Sequence, residues 1–297
     1  MELSIRTLTA GARLRSHLRM AKPRVLGLIV FCAVIGMFLG APGRLGAATL
    51  LWGTLGIAMV AGAAAAFNCL IERRRDALMA RTRNRPLPRG EVGSTEALLV
   101  AAATGLGGAL VLYHGTNALA MWLTLGTFVG YTLVYTVLLK PRTPQNIVIG
   151  GAAGAMPPVL GWAAAAGDAP LQAWLLVLII FVWTPPHFWS LALYRTQDYA
   201  AAGFPMLPVV RGRRYTQRCI LGYTLALAAV SLLPVAVGMS GWLYLAAVLA
   251  LDARFVQLAW RLLRSDSDTD ARRSFRFSIT YLSLLFAALL VDHQLLG

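Results

Sequence analysis

Three oxygen-bearing side chains stand at one interval: Asn68, Glu72 and Asp76 lie at i, i+4 and i+8. On an α-helix that spacing puts them roughly on one face, with the outer pair about 12 Å apart. Two carboxylates and an amide oxygen are hard ligands, suited to Mg²⁺ that keeps part of its shell for water and a substrate phosphate. Acids at a helix C-terminus also oppose the helix dipole, and a bound cation would compensate. The plainer alternative is an ion-paired helix end, with Glu72 and Asp76 matched to Arg73, Arg74 or Arg75. Spacing alone leaves both open.

Two basic clusters accompany these acids. Residues 73–86 carry Arg73, Arg74, Arg75, Arg81, Arg83 and Arg85, and arginine binds phosphate through two parallel hydrogen bonds. Lys140 and Arg142 follow Tyr131 and Tyr135, precede Gln145 and Asn146, and sit among Pro141 and Pro144, which should break a helix there. Both clusters fit a diphosphate clamp, and both also fit a topology signal with anionic-lipid contact. A third element, residues 183–214, holds Trp183, a Pro185–Pro186 pair expected to kink the helix, then His187, Arg195 and Asp198. A histidine within a span usually faces the bundle interior and is a site candidate; a structural histidine bonded to a carbonyl is the alternative. Asp198 is either a second metal anchor or the partner of Arg195. The aromatics Trp183, Phe188, Trp189, Tyr194 and Tyr199 suit a polyisoprenoid or a flat macrocycle, or form an ordinary interfacial belt. Asp168, Asp252, Asp266, Asp268, Asp270 and Asp292 read as solvent-facing or interfacial.

The rest of the chain must hold these residues in place. It has 297 residues, 58% of them hydrophobic and 13% charged, against about 25% charged in soluble domains. That excludes a soluble enzyme, a disordered chain and a disulfide scaffold. Cys32, Cys69 and Cys219 show no metal spacing. Nine apolar segments reach membrane-spanning length, near 25–40, 48–68, 96–113, 118–139, 147–166, 171–194, 217–238, 241–260 and 276–291. The first is short, and the last is short enough to be tilted or interfacial. The chain reads as an all-α, polytopic membrane protein, one domain over 1–297, with 1–24 a basic cytoplasmic segment rather than a cleaved signal. The net charge of +15 is too apolar in its setting for a nucleic-acid partner. Of the 27 basic residues, all but Arg44 fall in one set of alternating loops and adjoining helix ends. That set belongs in the cytoplasm, with the N-terminus inside and the C-terminus outside. The stretches 61–67 and 150–158 are dense in small residues, which let helices approach closely in lipid.

At these residues the chain resembles the UbiA-type intramembrane prenyltransferase superfamily, in its haem-modifying branch. The resemblance is carried by AKPRV at 21–25, NCLIERRRDALMARTRNRPLP at 68–88, YTVLLKPRTPQNIVIGGAAGAMPPVLGW at 135–162 and WTPPHFWSLALYRTQDYAAAGFPMLPVVRG at 183–212. It implies nine transmembrane helices in a bundle around a central cavity that opens toward the cytoplasmic face of a bacterial inner membrane. It matches Asn68, Glu72 and Asp76 to the first Asn-x3-Asp-x3-Asp signature, with Glu72 a departure from Asp. It sets His187 where aromatic-acceptor members carry an Asp, and Asp198 at the end of a reduced second signature. The implied reaction moves farnesyl from farnesyl diphosphate to the vinyl group of haem b, adds water, and yields haem O and diphosphate. Haem b is then substrate rather than cofactor. Mg²⁺ on Asn68, Glu72, Asp76 and Asp198 is the implied metal, Lys140 and Arg142 the diphosphate-binding loop, and a haem A synthase or terminal oxidase assembly the downstream partner. The alternatives are an aromatic or chlorin acceptor, a transport or lipid-binding bundle without chemistry, and a regulator derived from the enzyme fold.

Overall fold

The computed structural model describes residues 9–41 and 43–296; the first eight residues of the basic N-terminal segment lie outside them. Among the described residues the structure is helical, and nine stretches are long and apolar enough to cross a membrane. In lipid an exposed backbone amide has no water to bond, so a spanning chain must satisfy its polar groups internally, as a helix does. The order is α1 (Ala10–Met20), α2 (Pro23–Gly40), α3 (Ala47–Asp76), α4 (Ser94–Gly115), and α5 (Ala118–Val129) running into a π-helical segment (Gly130–Leu139). Then come α6 (Asn146–Ala155) and α7 (Pro157–Ala166), α8 (Leu171–Leu193), the short α9 (Thr196–Ala201), α10 (Leu207–Val230) with α11 (Leu233–Ala236), α12 (Trp242–Leu263) and α13 (Asp268–Leu296).

Several helices differ from the lengths that hydropathy suggests. The segment near 276–291 is not short: it lies within a 29-residue helix, α13, long and apolar enough to cross a membrane. The 48–68 segment continues unbroken to Asp76, so Asn68, Glu72 and Asp76 all lie on regular helix. Helix α8 keeps the expected length and runs through Pro185 and Pro186. The seventh span starts at Leu207 and bends at Gly212, whose φ of 77° is open to glycine but strained for other residues.

Helix α8 is the most enclosed span, packed against α6, α10 and α13. The closest crossing is α2 on α7. A β-carbon at Gly161 would fall 1.8 Å from the Ala33 carbonyl oxygen, and one at Gly36 would fall 2.1 Å from that of Pro158. Glycines outside the two dense stretches thus bring these backbones into contact. Leu99, Leu106, Leu110, Trp122, Leu171 and Trp242 are exposed on the outside, as expected where lipid is the solvent. A second apolar cluster gathers Met79, Ile147, Leu193, Tyr199, Phe204 and Met206, and binds the loop after α3 to the loop after α8. Helix α1 is moored to the start of α4 and the loop before it. Ser16 donates to Glu91 (2.9 Å), Arg19 donates to the Asn84 carbonyl (3.0 Å), and Arg13 pairs with Glu96 (3.0 Å).

Two aspartates that read as solvent-facing or interfacial are buried. Asp292 accepts from the backbone amides of Gly241 (2.5 Å) and Tyr244 (3.1 Å), and so caps the N-terminus of α12 from α13. Asp252, well inside α12, accepts from Ser231 (2.8 Å) and Tyr281 (2.7 Å), one hydroxyl on each carboxylate oxygen. It lies in register with Tyr244, Val248, Phe255 and Ala259, the buried side of the helix.

Candidate active site

The candidate side chains meet at the end of α3. Asn68, Glu72 and Asp76 are all buried, Asp76 with no exposed surface. Each is held by a cation from a different segment. Lys22 donates to Asn68 Oδ1 at 2.5 Å, Lys140 pairs with Glu72 Oε1, and Arg85 donates to Asp76 Oδ2 at 2.6 Å. The neighbours Arg73, Arg74 and Arg75 are not the partners, because successive residues on a helix point about 100° apart. Asn68 also donates to Thr136 Oγ1 at 3.2 Å.

Local folding explains each cation. Lys22 precedes Pro23 and has φ 54° and ψ 64°, the one positive φ outside glycine among the described residues. Pro23 disfavours the right-handed helical region for its predecessor, and the left-handed turn brings the ammonium group onto Asn68. Burial lowers the Lys22 pKa below the usual lysine range, while Glu72 and Asp76 pull the other way. Lys140 follows the π-helical segment, where its amide bonds the Tyr135 carbonyl five residues back at 2.9 Å. The Thr136 hydroxyl bonds Tyr131 in the same i−5 pattern. Such segments occur often at functional sites, since the surplus residue re-aims the side chains beyond it. Arg85 is returned to Asp76 by a chain of turns over 77–85, plugged by buried Met79 and tied by Thr82 Oγ1 to the Asp76 carbonyl at 2.9 Å.

Phe204 joins the parts. Its ring lies 4.8 Å from the Arg75 guanidinium and 4.8 Å from the Lys140 ammonium, so one buried aromatic carries two cations. Tyr199 is buried beside it; burial pushes its phenol up, with Arg81 acting in the opposite direction. Asp198, the next residue back on α9, turns away and meets Arg195 at 3.3 Å. Glu72, Asp76 and Asp198 are therefore not gathered together. Among the described residues no three His, Cys, Asp or Glu side chains converge as a metal site.

The other expected residues divide. Asn146 is buried, donates to the Thr143 carbonyl at 2.5 Å and leaves Oδ1 unpartnered. Tyr135 is buried, with Lys140 5.8 Å from its ring. Arg73, Arg81, Arg83, Arg142 and Gln145 are exposed at the rim. Trp183 and His187, one turn apart on α8, stack at 4.3 Å and 18°. A groove of about 290 Å³ between α2 and α13 is lined by Arg24, Leu28, Phe31, Ile279 and Ser283. Lys22 and Phe204 were missed as site residues. Both lie in the stretches that carried the resemblance, the only signal that could have found them.

The acids fit a divalent cation on one structural ground. Asp76 Oδ1 is buried and has no hydrogen-bond partner, a costly state unless something binds it, and the donor set is oxygen throughout.

A model of the UbiA prenyltransferase family matches residues 29–286. A protoheme IX farnesyltransferase of Azoarcus sp. (strain BH72) is 65% identical over 286 residues, 96% of each chain. That of Aromatoleum aromaticum is 62% identical, over 99% of this chain and 98% of its own. Among solved structures, a digeranylgeranylglyceryl phosphate synthase superposes with a TM-score of 0.78 at 16% identity, covering 95% of this chain and 98% of that one. A UbiA homologue from Archaeoglobus fulgidus bound to DMAPP and Mg²⁺ gives 0.64 at 15% identity, covering 92% and 99%. At such identities these two speak for the fold alone.

Proposed function

The chain belongs to the UbiA prenyltransferase family, and from that premise we propose that it transfers farnesyl from farnesyl diphosphate to a vinyl group of haem b, with addition of water, giving haem O and diphosphate. The observation that carries the chemistry is the triple pairing on α3: Asn68, Glu72 and Asp76, each against its own cation, with Asp76 Oδ1 left over. The choice of substrates rests on relatives at 60–65% identity named protoheme IX farnesyltransferase.

Mg²⁺ held by Asn68, Glu72 and Asp76 would supply divalent charge to stabilise the oxygens of a leaving diphosphate. Asp198, which pairs with Arg195 through Oδ2, stands apart from that set and would have to turn toward it to join. As the C–O bond of farnesyl diphosphate breaks, its electron pair passes to the diphosphate. Lys22, Lys140 and Arg85 are already fixed beside that charge, so little reorganisation opposes the step. Arg73, Arg75, Arg81, Arg83, Arg142 and Arg195 add positive charge that would draw the anion in, and Gln145 and Asn146 would offer polar contacts to it. The allylic cation is then captured by the terminal vinyl carbon, and the cation left on the neighbouring carbon takes water and gives up one proton, completing the hydroxyl group. Tyr135 and Trp183 are buried walls that keep water from the cation until capture. The distribution of basic residues supports a site facing the cytoplasm, with the N-terminus inside and the C-terminus outside, and the bacterial relatives support an inner-membrane location. The product would pass to a haem A synthase or a terminal oxidase assembly.

The test is mass spectrometry of haem extracted after incubating membranes that hold this protein with haem b, farnesyl diphosphate and Mg²⁺. A product heavier than haem b by one farnesyl group plus water is expected. A prenylated aromatic acid or chlorin in a parallel incubation, with haem b untouched, would move the assignment to another acceptor.

A further inference from the structure

The hydroxyl of Ser278 on α13 is within hydrogen-bond distance of two groups. It lies 2.7 Å from the Phe275 carbonyl oxygen and 2.6 Å from His187 Nδ1. Ser278 has one proton and the carbonyl has none. If that proton went to His187, two bare oxygens would face each other at 2.7 Å. If it goes to Phe275, the second contact needs a proton from the imidazole. Only the second arrangement satisfies both contacts, so His187 carries its proton on Nδ1 and its lone pair on Nε2. Nε2 has no hydrogen-bond partner among the described residues and is not among the buried, unpartnered atoms.

The ring is also fixed in plane. Trp183 stacks on it at 4.3 Å, and Phe275 lies 4.8 Å away on a tilted plane. Trp183 is itself tied down, its Nε1–H donating to the Ser278 carbonyl at 2.8 Å. One serine therefore holds both residues. An imidazole oriented by an Nδ1–H bond to oxygen, with Nε2 open, is the usual form of a metal-ligating histidine. A histidine meant to bond a haem propionate through Nε2 would need its proton there.

We infer that His187 binds haem b as an axial ligand, donating the Nε2 lone pair to the iron, and that Ser278 is the positioning residue that fixes the ring and its tautomer. The inference rests on haem b being the acceptor. The bond is coordinate: no proton is lost and the iron keeps its oxidation state.

The whole protein, purified in detergent, is loaded with ferric haem b, reduced and exposed to nitric oxide. Electron paramagnetic resonance then reports whether a second nitrogen lies opposite the nitrosyl group. That splitting is expected in the native chain, which needs no variant to fold. In His187→Gln it should vanish, haem b should bind about ten-fold more weakly, and added imidazole should restore the signal. Metal-free protoporphyrin IX should bind both proteins alike. Ser278→Ala should shift the iron–histidine stretching band, and Ser278→Thr should return it. A native chain without the nitrogen splitting, or His187→Gln with it unchanged, overturns the ligation. A band unmoved in Ser278→Ala overturns the role of the serine. If farnesyl is transferred to haem b without the splitting, ligation alone fails. If the splitting is present and no farnesyl is transferred, the functional reading fails instead.

Discussion

Asp76 and Asp252 are both buried aspartates on spanning helices, yet they are satisfied in opposite ways. Asp76 meets a full positive charge, Arg85, on one oxygen and nothing on the other. Asp252 meets a neutral hydroxyl on each oxygen, Ser231 at the end of α10 and Tyr281 on α13. A complete set of neutral donors leaves nothing for a ligand to do, and such a group ties helices together. A carboxylate with one cation and one idle oxygen can exchange partners. Burial and helix position do not separate the two; partner chemistry does.

The contrast can be broken most sharply by removing the same charge twice. Asp76→Asn should lower the rate of haem O formation by about 10³-fold or more, while Asp252→Asn should stay within about three-fold; equal losses would end the distinction. Chelation comes next. The acids are already matched by Lys22, Lys140 and Arg85, so removing divalent metal should abolish turnover without unfolding the chain, and thermal melts with and without chelator should nearly coincide. Lys140→Met should cost about 10²-fold in rate. Lys140→Arg should keep part of it, since arginine retains the charge beside Glu72 but not the shape. Asp252→Ala should act on stability instead. It strands the hydroxyl of Tyr281 at about 1–3 kcal/mol, while that of Ser231 keeps the Ala228 carbonyl at 3.0 Å, and the loss should be visible as a lower melting temperature with turnover intact in the cold. The smallest effect concerns Lys22. Its pKa is lowered mainly by burial, so it loses its charge at a lower pH than an exposed lysine, and activity should fall as pH rises through that point. In Lys22→Arg the charge persists, and the alkaline limb of the pH–rate profile should move upward.

Much of this was legible in the residues. The i, i+4, i+8 spacing gave the shared face of α3, and the hydrophobic runs gave nine spans. Other parts were hidden for physical reasons. Six arginines occupy 73–85, and which of them returns to Asp76 depends on Met79 and Thr82 being buried in a loop that has no periodicity. Lys22 reaches Asn68 through a backbone conformation that its side chain does not announce. Asp252 is the instructive case. Its charge suggested solvent, yet its helical register with Tyr244, Val248 and Phe255 already placed it on the inner side.

The π-helical segment before Lys140 has a consequence outside substitution altogether. Wide turns hold more residues than α-helical ones, so losing any one residue from 130–139 could let the segment relax to an α-helix. The shortened span would look the same to hydropathy and would still cross the bilayer. Lys140, however, would no longer follow the wide turn that bonds its amide to the Tyr135 carbonyl, and its approach to Glu72 would change. For this span, chain length sets the aim, and natural variation near the site should tolerate changes of letter more readily than changes of count.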